Sequence, residues 1–331
     1  MSGLDPNLAV AGVLTAVLCA WVLTGGADLG GGLWDLLAAG PRKVAQRRAI
    51  ALAIAPIWEA NHVWLIVAIV ITFVAFPRAF AAISIALHWP LTLMLLGVVL
   101  RGASFVFRAY AARAEPVQAR WSAVFASASA ATPILLGVVL GAIASGRIDA
   151  DGDAIPPGTL PWLAPFPVVV GLLTLAIFAF LAAVYLTLDT REEPALQEDF
   201  RRRGLGAAAA VFCLAWAAFF LARTGAPAIW HGLWHSAWAV PLQLAVAACG
   251  LSCIGALWTR RYRLARDLGA AQVVLVVGGW AASQYPHVLP PHLTVADAAP
   301  AVVVWWLLGV LAVGAVPLAV AYATLMRVFK G

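Results

Sequence analysis

Three acids sit where an aqueous chain would not put them. Asp28 lies in "TGGADLGGGLWD" (24–35), Asp35 closes that stretch, and Glu59 lies in "PIWEANHVW" (56–64), with long apolar runs around each. His62 follows Glu59 by three positions, so on a helix the two share a face. Asn61, between them, can both donate and accept a hydrogen bond. A carboxyl, a carboxamide and an imidazole held away from water can take up a proton and pass it on. The plainer alternative is that Glu59 forms a neutral or paired hydrogen bond that glues two helices. Ionisable groups deep in an apolar segment are costly and are functional candidates by default.

The elements that must carry these groups follow from composition. The chain has 331 residues, of which 63% are hydrophobic and 11% charged. A soluble chain carries about 25% charged residues, so the solvent of this one is largely lipid. Its fifteen Trp residues agree, since Trp favours the headgroup boundary. Apolar runs long enough to span a bilayer fall at about 8–36, 50–76, 79–101, 121–145, 163–188, 204–222, 234–258, 268–285 and 300–326. The expected fold is an all-α polytopic membrane protein of nine helices in a single integral membrane domain covering 1–331. The mixed "GWAASQYP" makes the eighth span the weakest. The first run has no basic segment before it and is read as a retained helix.

The cations test this count. Arg42, Lys43, Arg47 and Arg48 fall between spans 1 and 2, and Arg101, Arg108, Arg113 and Arg120 at and between spans 3 and 4. Arg191 and Arg201 to Arg203 follow span 5, Arg260, Arg261, Arg263 and Arg266 follow span 7, and Arg327 and Lys330 close the chain. The opposite side holds only Arg78, Arg147 and Arg223, a split of 18 against 3. The positive-inside rule puts the amino terminus outside and the carboxyl terminus in the cytoplasm. The net charge of +6 is thus a membrane-loop signature, and nucleic acid is not a partner. If span 1 ends near residue 37 and span 2 begins near 50, Asp28 and Glu59 both lie about 13 Å from the cytoplasmic ends of their helices. A polar seam entered from the cytoplasm is the geometry this implies.

Other residues are weighed and set lower. Gly25, Gly26, Gly30, Gly31 and Gly32 give span 1 a side for close helix approach or a local break. Pro56 starts or kinks span 2. Of the six histidines, only His62 and His88 lie well inside spans; His231, His235, His287 and His292 lie at or beyond span ends. His231 and His235 are four apart, but nothing beside them completes a metal set, and anchoring at the interface by nearby tryptophans is preferred. Asp149, Asp151 and Asp153 resemble a calcium loop without its closing Glu. The four cysteines lie in apolar runs and are read as packing residues.

Several stretches carry a family resemblance: "TGGADLGGG" (24–32), "APIWEANHVWL" (55–65), "FPRAFA" (76–81), "LRGASFVFR" (100–108), "TLDT" (187–190) and "QYPHVLPPHLTVADAAP" (284–300). In this order they resemble subunit II of the cytochrome bd-type quinol oxidases, the cyanide-insensitive branch included. The resemblance implies two four-helix bundles plus one peripheral helix, in a bacterial cell membrane complex. The larger partner, subunit I, would carry haem b, haem d and the quinol site and reduce dioxygen to water. This chain would lack haem ligands and cofactors of its own, support assembly as half of a heterodimer, and deliver cytoplasmic protons. The resemblance leaves room for a small single-helix subunit and for a bound quinone or lipid.

By the resemblance, Asp28 matches the second acid of an Asp-Gly-Phe-Asp pattern and Glu59 the acid of a Trp-Asp-Gly-Asn pattern. Trp58, Asn61 and Trp64 match that acid's neighbours, and Arg101 opens a third motif. The chain departs from the pattern at Gly25, Ala60 and Val106; an acid is usual at the first and third. The reading is an accessory oxidase subunit with no catalytic site. Glu59, Asp28, His62 and Asn61 form its proton pathway, and Gly30, Pro56, Trp58, Trp64 and Arg101 serve as motif and packing residues. A secondary transporter using the same acids, and a purely structural helical subunit, are the alternatives.

Overall fold

The computed structural model describes residues 5–54, 58–110 and 115–330. Twelve α-helices are found among them: α1 (Pro6–Leu36), α2 (Lys43–Ile54), α3 (Trp58–Ala75), α4 (Pro77–Ala86), α5 (His88–Tyr110), α6 (Glu115–Ala144), α7 (Pro165–Asp189), α8 (Pro194–Gly225), α9 (Pro227–His235), α10 (Ala239–Trp258), α11 (Tyr262–Gln284) and α12 (Ala301–Lys330). The only strands among the described residues are β1 (His287–Leu289) and β2 (Leu293–Thr294), a short antiparallel hairpin. An apolar run in lipid must satisfy its own backbone, which a helix does within one segment. Eight of the described helices are long and apolar enough to cross a membrane, and the bent pair α3 and α4 makes nine if taken as one span.

Two spans differ from their sequence expectation. The run at 79–101 is not one helix. Residues 77–86 form α4, bent by 115° from the helix before it, and the long helix that follows is α5. The run at 234–258 divides similarly into the end of α9 and α10. Pro77 and Pro227 stand at the first positions of α4 and α9. Proline has no N–H to continue a preceding helix, yet its φ suits a new one. The breaks inside the two runs fall at Leu87 and at 236–238, and hydropathy, which measures apolar length, is blind to them. The eighth span is present as α11, and α8 begins ten residues earlier than its apolar run because its charged first turns are helical too. Span 2 comprises α2 and α3. Pro56, between them, lies outside the described residues, as does the side chain of Glu59, whose backbone belongs to α3.

The core is organised around α7, which packs along α1, α6 and α8. Its stretch from Phe178 to Val184 is buried throughout. Close approach is set by glycine at two crossings. A Cβ on Gly30 would collide with the backbone carbonyl of Phe178, so α1 and α7 meet backbone to backbone. A Cβ on Gly171 of α7 would stand 2.6 Å from the carbonyl oxygen of Ile134 on α6. Trp34 of α1 fastens the first contact, its Nε1 donating to the carbonyl of Ala179 at 2.8 Å.

Beyond the C-terminal end of α1, a polar strap joins α2 to α8. Arg42 donates to both carboxylate oxygens of Asp199, at 2.8 and 2.6 Å, and Gln46 donates to the same carboxylate at 2.8 Å. Arg203 donates to Gln46 Oε1 at 2.8 Å. At the opposite end, Thr294 and Asp297 cap a short turn reciprocally, which holds the Asp297 carboxyl below its usual range. There the backbone N–H of Ala299 donates to the last carbonyl of α3, at Ala75.

Candidate functional site

One of the sequence-predicted acids, Asp28, meets a partner that a linear reading places at a helix end. Arg101 was counted with the loop cations and as a motif and packing residue. It lies inside α5, nine residues before the helix ends at Tyr110, and is 1% exposed. Its Nη2 donates to Oδ1 of Asp28 on α1, and both side chains are sealed from solvent. The burial of Arg101 has a plain reason. A buried guanidinium is tolerated only where a carboxylate faces it, and a linear reading cannot see that Asp28 does. The Arg101 guanidinium also lies 5.4 Å from the centroid of the Phe125 ring on α6.

α3 supplies the third member. Asn61 is fully buried and donates to the carbonyl of Thr24 on α1, one turn before Asp28, at 3.3 Å. That bond joins α1 to α3 as the ion pair joins α1 to α5. His62 turns back on its own helix, its Nδ1 donating to the carbonyl of Trp58 at 2.7 Å. The Trp58 ring fills the space over Gly102, so α3 and α5 pack closely beside the pair. It also sits 5.9 Å from the Phe105 ring. Trp64 packs edge-on to Tyr322 of α12 and takes no part in the cluster.

Several buried polar atoms of this cluster have no hydrogen-bond partner among the described residues. They are Asp28 Oδ2, Arg101 Nε, Asn61 Oδ1 and Ser129 Oγ. Buried polar atoms are ordinarily satisfied by protein or ordered water. Among the described residues, these atoms keep unused hydrogen-bonding capacity at the meeting point of α1, α3, α5 and α6. Glu59 stands two residues before Asn61 on the same helix. Asp35, near the end of α1, is also buried, and Arg47 donates to its backbone carbonyl at 3.2 Å.

Two cavities lie outside the cluster proper. One, of about 50 Å³, lies between α1, α2 and α7 and is bounded by Asp28, Tyr185 and Asp189. The sequence reading quoted Asp189 only within "TLDT" and passed over Tyr185. The available signal was their spacing of four, which puts them on one helical face. The other, of about 320 Å³, is lined by His231 and His287 among others.

His231 and His235 stack loosely, with ring centroids 4.9 Å apart. Among the described residues, no three His, Cys, Asp or Glu side chains gather closely enough to hold a metal ion. His88 opens α5, thirteen residues before Arg101 and so about 20 Å from it along the helix axis. It turns its Nδ1 to the carbonyl of Ile85 at 3.0 Å.

Comparison with known proteins follows the same lines. The model of the family described as "Cytochrome bd terminal oxidase subunit II" matches residues 6–329. The chain is 34% identical over 107 residues to the cytochrome bd ubiquinol oxidase subunit 2 of Bacillus subtilis, covering 32% of this chain and 31% of that protein. It is 28% identical over 180 residues to the cytochrome bd-I ubiquinol oxidase subunit 2 of Escherichia coli K12, covering 53% of this chain and 46% of that protein. The chain thus spans less than half the length of these curated relatives. Its fold is similar to a chain in the structure of bd oxidase from Geobacillus thermodenitrificans, with a TM-score of 0.77 and 20% identity, over 98% of this chain and 99% of that one. With a family match over almost its whole length, the chain belongs to the cytochrome bd terminal oxidase subunit II family.

Proposed function

We propose that this chain is the accessory subunit of a cytochrome bd-type quinol:dioxygen oxidase and that it conducts cytoplasmic protons toward the partner's oxygen-reducing centre. The observation that supports the proton role is the buried cluster of Asp28, Arg101 and Asn61, whose polar atoms are not all matched among the described residues. Glu59 on α3 is the carrier, and Asp28 is held in place by Arg101. Asn61 and His62 order the hydrogen bonds around them. Haem b and haem d belong to the partner, subunit I, and supply the oxygen chemistry there. The electrons come from the quinol pool.

In this reading the amino terminus is outside and the carboxyl terminus cytoplasmic, in the bacterial inner membrane. The chain forms one membrane domain, with the helices arranged as two four-helix bundles plus a peripheral helix. A heterodimer with subunit I is the working unit, with space for a small single-helix subunit and for a bound lipid or quinone.

Glu59→Ala in the purified complex should slow oxygen consumption strongly while the haem absorbance spectrum stays near normal. Unchanged turnover in a fully assembled complex would refute the proton role. A second reading has its own support. The Asp28–Arg101 ion pair is also what helix glue would look like. Under that reading, Asp28→Asn lowers the yield of assembled complex and leaves the turnover of what does assemble intact.

A further inference from the structure

The cavity of about 50 Å³ runs beside α1 at its C-terminal half. Its walls are mainly small or aliphatic, with Ala27, Gly31, Ala53 and Ala182 keeping the space open between α1, α2 and α7. Polar groups occur at selected points along it. Asp28 bounds it deep in the protein, where it is 3% exposed. Asp189, the last residue of α7, bounds it at the exposed end. Tyr185 lies between, one turn before Asp189 on the same face and about 6 Å further in along the helix. A space of this size admits on the order of three waters. Such a passage is too small for a metabolite.

We propose that Asp189 and Tyr185 form a proton inlet that feeds Asp28 from the aqueous side, separately from the Glu59 helix. The Asp189 carboxylate accepts a proton from bulk water and gives it to the water beside it. The Tyr185 hydroxyl oxygen accepts a proton from one water while its own proton passes to the next, so the phenol is unchanged after each passage. The proton arrives at Oδ2 of Asp28, the carboxylate oxygen without a partner among the described residues. Arg101 holds the other oxygen and keeps the carboxyl oriented. The inlet rests on the proton-delivery reading above and deepens it by naming where one route begins.

The test uses the whole complex with its haem-bearing partner, measured as quinol-driven oxygen uptake in H₂O and in D₂O. Asp189→Asn and Tyr185→Phe should each reduce turnover by about tenfold, with a larger solvent isotope effect than the parent. Asp189→Glu should restore the rate. Ala53→Leu, which narrows the cavity without touching a titratable group, should give the same loss with an unchanged haem spectrum. If these variants turn over like the parent while Glu59→Ala is slow, the inlet is wrong and proton delivery stands. If Glu59→Ala is also like the parent, the delivery reading falls and the inlet with it. If Asp189→Asn fails to assemble, Tyr185→Phe and Ala53→Leu decide; normal turnover in both overturns the inlet.

Discussion

Arg101 shows how much a single buried charge depends on its partner. It reaches across from α5 to Asp28 on α1, and neither side chain touches solvent. Removing one member of such a pair leaves an uncompensated charge, which costs about 3–5 kcal/mol. Arg101→Ala should therefore lower the thermal stability of the complex sharply. The double variant Asp28→Asn with Arg101→Gln should lose much less than the sum of the single changes, as a double-mutant cycle would measure. Additive losses would mean that the pair is not coupled. The same pair explains why Asp28 alone was an incomplete description of the site. Its acid was legible because it stood in an apolar run. Its partner was not, because a basic residue near a helix end reads first as a loop cation.

Helices meet here through what is absent from their side chains. Gly30 lets α1 touch the carbonyl of Phe178, and that contact fixes the height at which Asp28 faces α7 and α5. Gly30→Ala forces the two backbones apart, an overpacking cost of about 1–3 kcal/mol, and should lower the yield of assembled complex. Gly12, on the same helix, has open space where its Cβ would go. Gly12→Ala should be neutral or slightly stabilising, since alanine favours helix. Equal effects at both positions in a thermal-shift measurement would contradict the close contact. Proline acts at the same scale in a different manner. Pro77 and Pro227 start new helices, α4 and α9, in the gaps between apolar runs.

At the scale of the molecule, the clustering of cations at alternate loops sets the expected topology. Asp151 lies in the loop between α6 and α7, and Glu192 in the loop between α7 and α8; both are exposed. In intact cells, Asp151→Cys should react with a membrane-impermeant thiol reagent, and Glu192→Cys only after permeabilisation. The reverse pattern would invert the whole arrangement and place the Asp189 inlet on the outer side. The polar strap of Arg42, Gln46, Asp199 and Arg203 closes the α2–α8 side of the end where that inlet opens.

The sequence by itself determined the class of fold and the medium. Charge is scarce, apolar runs recur at bilayer length, and a lone acid in such a run is conspicuous because lipid penalises it. It also carried the family, through motifs whose order survives divergence. Only the tertiary structure decided which helix bends, that Arg101 belongs to the interior, and that Asp28 borders a passage shared with Tyr185 and Asp189. The last two bring together residues 73 to 161 positions apart in the chain. Hydropathy and spacing report what each segment needs from its surroundings; only packing decides which neighbour supplies it.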